Sequence, residues 1–358
     1  MRIERLEARH FRNLAPLVLE LDACTSVLRG PNAQGKTNIL EALYVCATGR
    51  SFRNASPRDL ISHNEQRALL TARFERQGVH HDVEVTFDEK RRSMNVDGRS
   101  LSRTSKLLQL VNVVAFFPDD LRIAKGSPEE RRRFLDRAVG NYRVDFVDAA
   151  TAYAKVLKQR NALLRAERSP DQTMLGVYDE QLLRHGSVMH TARETALAEL
   201  VPAAAKYFDD VMHGKAAMRV TLASGVEGGM SAFAEQLKKQ YSKDRARGST
   251  SSGPHRADLL LEVNGREARS FASQGQQRAL VLALKLAEVE TLGRMLGTTP
   301  LLLLDDVSSE LDRERSRLLF ETIGALGCQT LVSTTGATEL PLAADTEIFD
   351  IEDGRVTS

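Results

Sequence analysis

Cysteine is scarce and scattered. The three that occur, Cys24, Cys46 and Cys328, lie far apart. That spacing excludes a CxxC metal site and suits a reducing compartment, so each reads as a small buried apolar residue. An excess of charge of one sign is also lacking. The 50 basic and 48 acidic residues leave a formal net charge of +2, so any surface for a polyanion must be a local patch within a balanced total. No apolar run approaches the ~18 residues of a membrane-spanning helix. The N-terminus, MRIERLEARH, is charged and has no apolar centre, which is not the pattern of a secretory leader. These absences predict a cytoplasmic protein with no membrane partner. A heptad array long enough for a coiled-coil rod is missing too. The remainder, 42% apolar and 27% charged over 358 residues, has the composition of an ordinary globular chain with about two domains.

One stretch organises the rest. Gly30-Pro31-Asn32-Ala33-Gln34-Gly35-Lys36-Thr37, followed by Asn38, fits the phosphate-loop pattern G-x-x-x-x-G-K-[ST]. Thr25 to Leu28 before it reads as a short strand. Ile39, Leu40, Leu43 and Cys46 after it recur at helical spacing. Glycines let the backbone wrap a phosphate without a Cβ in the way, and the helix start points free N–H groups at the anion. Lys36 would reach the terminal phosphates of ATP and the Thr37 hydroxyl would ligate Mg²⁺.

A second anchor is Leu301-Leu302-Leu303-Leu304-Asp305-Asp306. Four leucines predict a strand buried on both faces, with two acids at its C-terminal end, where open α/β sheets bind ligands. Asp305 would hold the Mg²⁺ shell, and Asp306 would orient or deprotonate the attacking water. A third anchor is Ser273-Gln274-Gly275-Gln276 at the start of a helix. It is either an ordinary cap or a second anion site that serves the γ-phosphate of ATP bound to another subunit.

Between these anchors the pattern changes character twice. Residues 1 to 28 read as strands, with Phe11-Arg12-Asn13 as a turn between them. Ala68 to Val96 alternates at period two, and Asp97-Gly98 is a hairpin signal. Ser127-Pro128-Glu129-Glu130 is a helix start, and helical spacing then dominates to about residue 245. That block includes candidate helices over 144–168, 175–198 and 203–212, and a lone strand over 218–222. The polar segment 247–254 is a boundary. Strand and helix patterns return after it and end in strands at 330–333 and 347–351. Lys155, Lys158, Arg160, Arg165 and Arg168 cluster on one helical stretch, and Lys238, Lys239, Lys243, Arg245 and Arg247 on another. Such clusters suit sequence-independent phosphate contact or simply a solvated helix face. His80-His81 reads as a polar strand face rather than a metal site.

The phosphate loop, Ser273 to Gln276, the strand end at Asp305-Asp306 and Ser308-Ser309-Glu310-Leu311-Asp312 occur in the order of an ABC-type ATPase head. More narrowly, the chain resembles the RecF family of bacterial recombination mediators over essentially its whole length. The resemblance rests on three stretches. One is Gly49-Arg50-Ser51-Phe52-Arg53. Another is Pro118-Asp119-Asp120 with Gly126-Ser127-Pro128, an Arg pair within Arg131 to Arg133, and Phe134-Leu135-Asp136. The third is Gly253-Pro254-His255-Arg256-Ala257-Asp258.

The resemblance implies an α/β fold, an ABC-type P-loop ATPase head (1–120 and 253–358) with an inserted, mainly α-helical subdomain (121–252). It also implies a homodimer with ATP at the interface, each nucleotide on Gly30 to Thr37 of one subunit and facing Ser273 and Gly275 of the other. Ser308 to Asp312 would couple the two sites, and Arg12 would be a phosphate contact. The function implied is an ATP-dependent binder of double-stranded DNA near single-strand gaps, working with RecR and RecO to load RecA, with slow hydrolysis driving release. Two departures stand out. Thr334 and Thr335 occupy the place of the histidine that transporter heads carry, and no residue matches the glutamine loop. The same motifs leave open a head of another repair or transport machine in which turnover itself does the work. The missing histidine argues against a transporter.

Overall fold

The computed structural model describes residues 1–53, 55–101, 104–166, 171–306, 313–336 and 345–357. Its strands are β1 (Arg2–Arg9), β2 (Leu17–Glu20), β3 (Thr25–Arg29), β4 (Arg67–Arg76), β5 (Val79–Asp88), β6 (Arg92–Val96), β7 (Arg99–Ser100), β8 (Val113–Phe116), β9 (Met218–Ala223), β10 (Asp258–Val263), β11 (Arg266–Glu267), β12 (Leu301–Asp305), β13 (Thr330–Thr334), β14 (Glu347–Glu352) and β15 (Arg355–Val356). The helices that matter here are α1 (Lys36–Thr48), α2 (Pro128–Gly140), α3 (Val144–Arg165), α4 (Gln172–Met212), α5 (Gln274–Leu296) and α6 (Arg313–Leu326). They belong to two compact units. The first is Met1–Leu121 with Val281–Ser358, and the second is Arg122–Leu280.

In the first unit, alternation and continuous apolar runs give two kinds of sheet. The period-two segments form an antiparallel sheet in the order β2-β1-β4-β5-β6-β7. One face of it is buried, as in β4, where Ala68, Leu70, Ala72 and Phe74 point inward. The apolar runs form a second sheet, ordered β15-β14-β3-β13-β12-β8. Its strands β14, β3, β13, β12 and β8 run parallel. Leu301 to Leu304 are all buried there, as a parallel strand covered on both faces requires. Helix α1 shares one hydrophobic core with both sheets. Ile39, Leu40, Ala42, Leu43, Val45 and Cys46 are inaccessible around its whole circumference, because a helix enclosed on all sides has no polar face to keep. Gln329 ties the two sheets together. Its buried side chain accepts from the Ile3 N–H (2.7 Å) and donates to the Ile3 carbonyl (2.9 Å).

In the second unit the helical pattern is more continuous than the sequence suggests. The candidate helices 175–198 and 203–212 are one helix, α4, which runs through Pro202. An interior proline costs about 3 kcal/mol in a lost bond and a ring clash. Here Ala196, Leu197, Leu200, Ala204, Tyr207 and Phe208 are buried on both sides of it, and their packing offsets that cost. The strand expected to be alone, β9, pairs antiparallel with β10 from Met218↔Val263 to Ala223↔Asp258. This pairing corrects the expected boundary, because residues 253–280 lie in the second unit rather than with the rest of the head. The reason is a long-range strand pairing that local pattern does not encode.

The segment Gly253 to Asp258 is the polar keystone of this unit. Arg193, 1% exposed, forms a bidentate pair with Asp136 and donates to the Pro254 carbonyl at 2.8 Å. Arg131 pairs with Asp258 through two 2.8 Å bonds, and Arg132 donates to the Ala257 carbonyl. His255 Nε2 lies 3.1 Å from the Thr250 carbonyl and Nδ1 lies 2.8 Å from the Tyr153 hydroxyl. A carbonyl only accepts, so Nε2 carries the proton and Nδ1 accepts from Tyr153. Burial pushes the His255 pKa down from 6.5 to about 4, and Arg256 and Arg132 add to the shift. In that window the unfolded chain binds the proton and the folded one does not. Stability therefore falls by about 3 kcal/mol as pH drops from 6.5 to 4, with no contribution from this group above 6.5. Urea unfolding of the parent and His255→Gln across that range should show a steeper acid-side loss in the parent. Identical slopes would assign the loss to other groups.

Candidate nucleotide site

The carboxyl ends of β3, β12 and β13 lie side by side, and the expected groups of the first unit meet there. Gly35 caps α1 with φ 107° and no side-chain cap. The first-turn N–H groups are therefore left for an external anion. Lys36 is nearly buried, and its Nζ donates to the carbonyls of Gly30 and Pro31, each at 2.6 Å. The ammonium thus sits over the mouth of its own loop. Burial lowers its pKa, while Asp306 and Asp305 oppose the shift. Pro31, Asn32 and Ala33 are exposed along the loop, and Ala33 is left-handed at φ 66°.

Thr37 Oγ1 donates to Asp305 Oδ1 at 2.9 Å, and Ser333 Oγ donates to the same oxygen at 2.6 Å. Burial raises the Asp305 pKa, against the hydrogen bonds from Ser333 and Thr37. A hydroxyl and a carboxylate oxygen this close are hard donors. Together they fit Mg²⁺, which keeps water and phosphate oxygens in the rest of its shell. Asp306 follows with φ 47°. Its N–H is held by the Ser333 carbonyl (3.2 Å) and hydroxyl (3.0 Å). The next residues, Ser308 to Asp312, lie outside the described residues.

Three polar side chains already have partners within the chain. Arg12, expected on a phosphate, is already engaged. Its Nε and Nη2 each lie 2.9 Å from Glu41, and Nη1 lies 2.8 Å from the Asp59 carbonyl. The cause is Glu41 itself, a fully buried carboxylate on α1 that needs counter-charge. It also accepts from Ser51 Oγ (2.6 Å) and from Arg53 (3.2 Å). Arg160 is the second case. Placed in a basic cluster by sequence, it is fully buried and bonded to Asp179, Asp244 and Thr250. Ser273 is the third. It caps α5: its Oγ accepts from the Gln276 N–H at 3.2 Å, and the Gln276 side-chain oxygen accepts from the Ser273 N–H at 2.9 Å. This is the reciprocal capping box. Ser273 and Gln274 are exposed and Gly275 is half-exposed. They belong to the second unit, whereas the phosphate loop belongs to the first.

Sequence reasoning missed several supports of the loop. Asn13 Nδ2 reaches the Ala33 carbonyl (3.3 Å), and Asn13 Oδ1 accepts from Asn38 (2.6 Å). Asn38 in turn accepts from Arg53 at 2.8 Å. Ser333 and Glu41 carried no motif signal. The Arg50-Ser51-Phe52-Arg53 stretch was the nearest hint to the Glu41 cluster.

The family model described as RecF/RecN/SMC N terminal domain matches residues 2–353. The DNA replication and repair protein RecF of Myxococcus xanthus (strain DK1622) is 39% identical over 368 residues, covering 99% of this chain and 97% of that protein. A solved structure of the recombination mediator protein RecF-ATP in the RecFOR pathway superposes with a TM-score of 0.89 at 29% identity, covering 99% of this chain and 96% of that one. An SMC head bound to the C-winged helix domain of ScpA superposes at 0.59 with 17% identity, covering 100% and 96%. That likeness speaks for the ABC-type ATPase fold alone.

Proposed function

The chain belongs to the RecF family, within the wider RecF/RecN/SMC N-terminal-domain group, and from that premise we propose that it is an ATP-gated, DNA-binding recombination mediator. The observation that carries the reading is the convergence of Lys36, Thr37, Asp305 and Asp306 at the carboxyl ends of the parallel strands. The RecF-ATP structure supports ATP as the nucleotide.

In this reading Gly30 to Thr37 cradle the phosphates through backbone N–H groups, and Lys36 leaves the Gly30 and Pro31 carbonyls for the β- and γ-phosphates. Mg²⁺ held by Thr37 and Asp305 would supply charge neutralisation across those phosphates. Asp306 accepts a proton from, or orients, the attacking water. Hydrolysis is slow and regulatory in this reading, since Thr334 and Thr335 stand where transporter heads carry a histidine.

ATP acts as a clamp signal. A ligand that binds one state only, at ~100 times its dissociation constant, shifts an equilibrium by about 2.7 kcal/mol. Two sites in a homodimer roughly double that shift. DNA then meets a surface of the second unit. Lys155 and Lys158 on α3 and Lys238, Lys239, Lys243 and Arg247 beyond it are exposed. The buried Arg160–Asp244 pair (3.2 Å) ties together the two segments that carry these residues. RecR and RecO, acting on gapped duplex DNA to load RecA, are the partners this reading implies.

The exposed Ser273 tests the gate. Ser273→Ala should leave ATP binding to the monomer unchanged and weaken ATP-driven dimerisation by about tenfold or more, read by sedimentation equilibrium. The lost cap costs only about 1 kcal/mol of helix stability. Dimerisation equal to the parent's would leave Ser273 with its capping role only.

A further inference from the structure

Gly30 lacks a Cβ for a reason other than the phosphate. A Cβ built there would lie 2.3 Å from the Ile351 carbonyl oxygen on β14. The C-terminal hairpin β14–β15 therefore packs against the outside of the phosphate loop, and its turn continues the contact. The Gly354 N–H donates to the Gln34 carbonyl at 2.9 Å, and the Asp353 N–H donates to the Gln34 side-chain oxygen at 2.6 Å. On the other side, the Gly354 carbonyl accepts from the Ala15 N–H at 3.1 Å. A Cβ at Gly354 would meet the Asn13 carbonyl at 2.4 Å, Leu14 Cα at 3.0 Å and the Ala15 nitrogen at 3.1 Å. Asn13 itself reaches the Ala33 carbonyl. The Asp353-Gly354 turn is thus wedged between the loop's middle residues and the Asn13–Ala15 segment that also supports them.

We propose that the Asp353-Gly354 turn is a positioning element for nucleotide binding, fixing the loop backbone around Gln34 in the shape that receives phosphate. The inference rests on the ATP-binding reading above. Preorganisation is its physical basis. A loop held in its bound shape loses less freedom on binding, so removing the brace lowers affinity without touching a ligand contact. By linkage, phosphate bound in the loop must in turn steady the brace.

The molecule carries its own control. Asp97-Gly98 is a hairpin turn with nearly the same backbone (φ 51° and 72°) as Asp353-Gly354 (φ 46° and 73°). A Cβ at Gly98, however, meets nothing within 4 Å. Alanine at either position carries the same left-handed strain, and only Gly354→Ala also displaces the loop's support.

The test is ATP binding by calorimetry with the full chain, for the parent, Gly98→Ala, Gly354→Ala and Gln34→Ala. Thermal unfolding without nucleotide and amide exchange of residues 350–356 with and without ATP complete it. We expect Gly98→Ala to bind within about twofold of the parent, Gly354→Ala about tenfold or more weakly, and Gln34→Ala a few-fold weakly. ATP should slow exchange at 353–354 in the parent. Parent-like affinity in both Gly354→Ala and Gln34→Ala overturns the inference, as does unchanged exchange at 353–354 in an ATP-bound parent. If Gly354→Ala does not fold, Gln34→Ala and the exchange data decide. A parent that binds no ATP overturns the nucleotide reading itself.

Discussion

Lys36→Ala lowers ATP affinity by about a hundredfold or more, equivalent to about 2.7 kcal/mol. The ammonium is the one cation whose nitrogen sits within 2.6 Å of the loop's own carbonyls among the described residues. Those carbonyls mark where phosphate oxygens compete for it. Charge-assisted bonds of this kind are roughly twice as strong as neutral ones, and burial keeps water from substituting. The same substitution also leaves the Gly30 and Pro31 carbonyls without their donor, so the loop loses part of its own closure. Calorimetric titration with ATP in Mg²⁺ measures both effects together. Binding within threefold of the parent would move the phosphate site away from Lys36.

Asp306→Asn slows ATP hydrolysis by about a hundredfold or more, a range typical of losing a positioned proton acceptor, while leaving ATP affinity near the parent's. The substitution suits this position. Asp306 has φ 47°, a left-handed conformation that asparagine adopts more readily than most residues. Its backbone N–H, held by Ser333, is retained. Charge and basicity therefore change while shape does not. If hydrolysis releases the proposed clamp, the variant also lengthens the lifetime of the ATP-bound dimer. Single-turnover hydrolysis separates binding from chemistry, and a rate equal to the parent's would assign the water-activating role to another group.

Local chemistry made the centre of the site legible. The loop glycines, Lys36, Thr37 and the Leu301–Asp306 run each announce themselves through spacing or composition, and the structure brings them to the carboxyl ends of neighbouring parallel strands. Ser273 was legible as a helix start, and its reciprocal bonds with Gln276 make the cap that was one of the two roles expected of it. What escaped was non-local. The Asp353 N–H reaches Gln34 across 319 positions, and turn chemistry at 353–354 says only that a hairpin exists. Arg160 looked like any solvated cation on α3 until Asp179 and Asp244, from distant segments, were seen to enclose it. Glu41 sits between Leu40 and Ala42 on α1, and its pairing with Arg12 and Arg53 has no periodic signal in the sequence. The placement of residues 253–280 failed for the same reason, since β10 takes its partner β9 from 35 or more positions away.

The most direct test of the account is the solution mass of the protein by light scattering, with ADP and with ATP plus Mg²⁺, each with and without duplex DNA. The account predicts a monomer with ADP and a dimer with ATP, the dimer strengthened further by DNA. A monomer under every condition would contradict the ATP-gated clamp and leave a phosphate-loop ATPase without a switch.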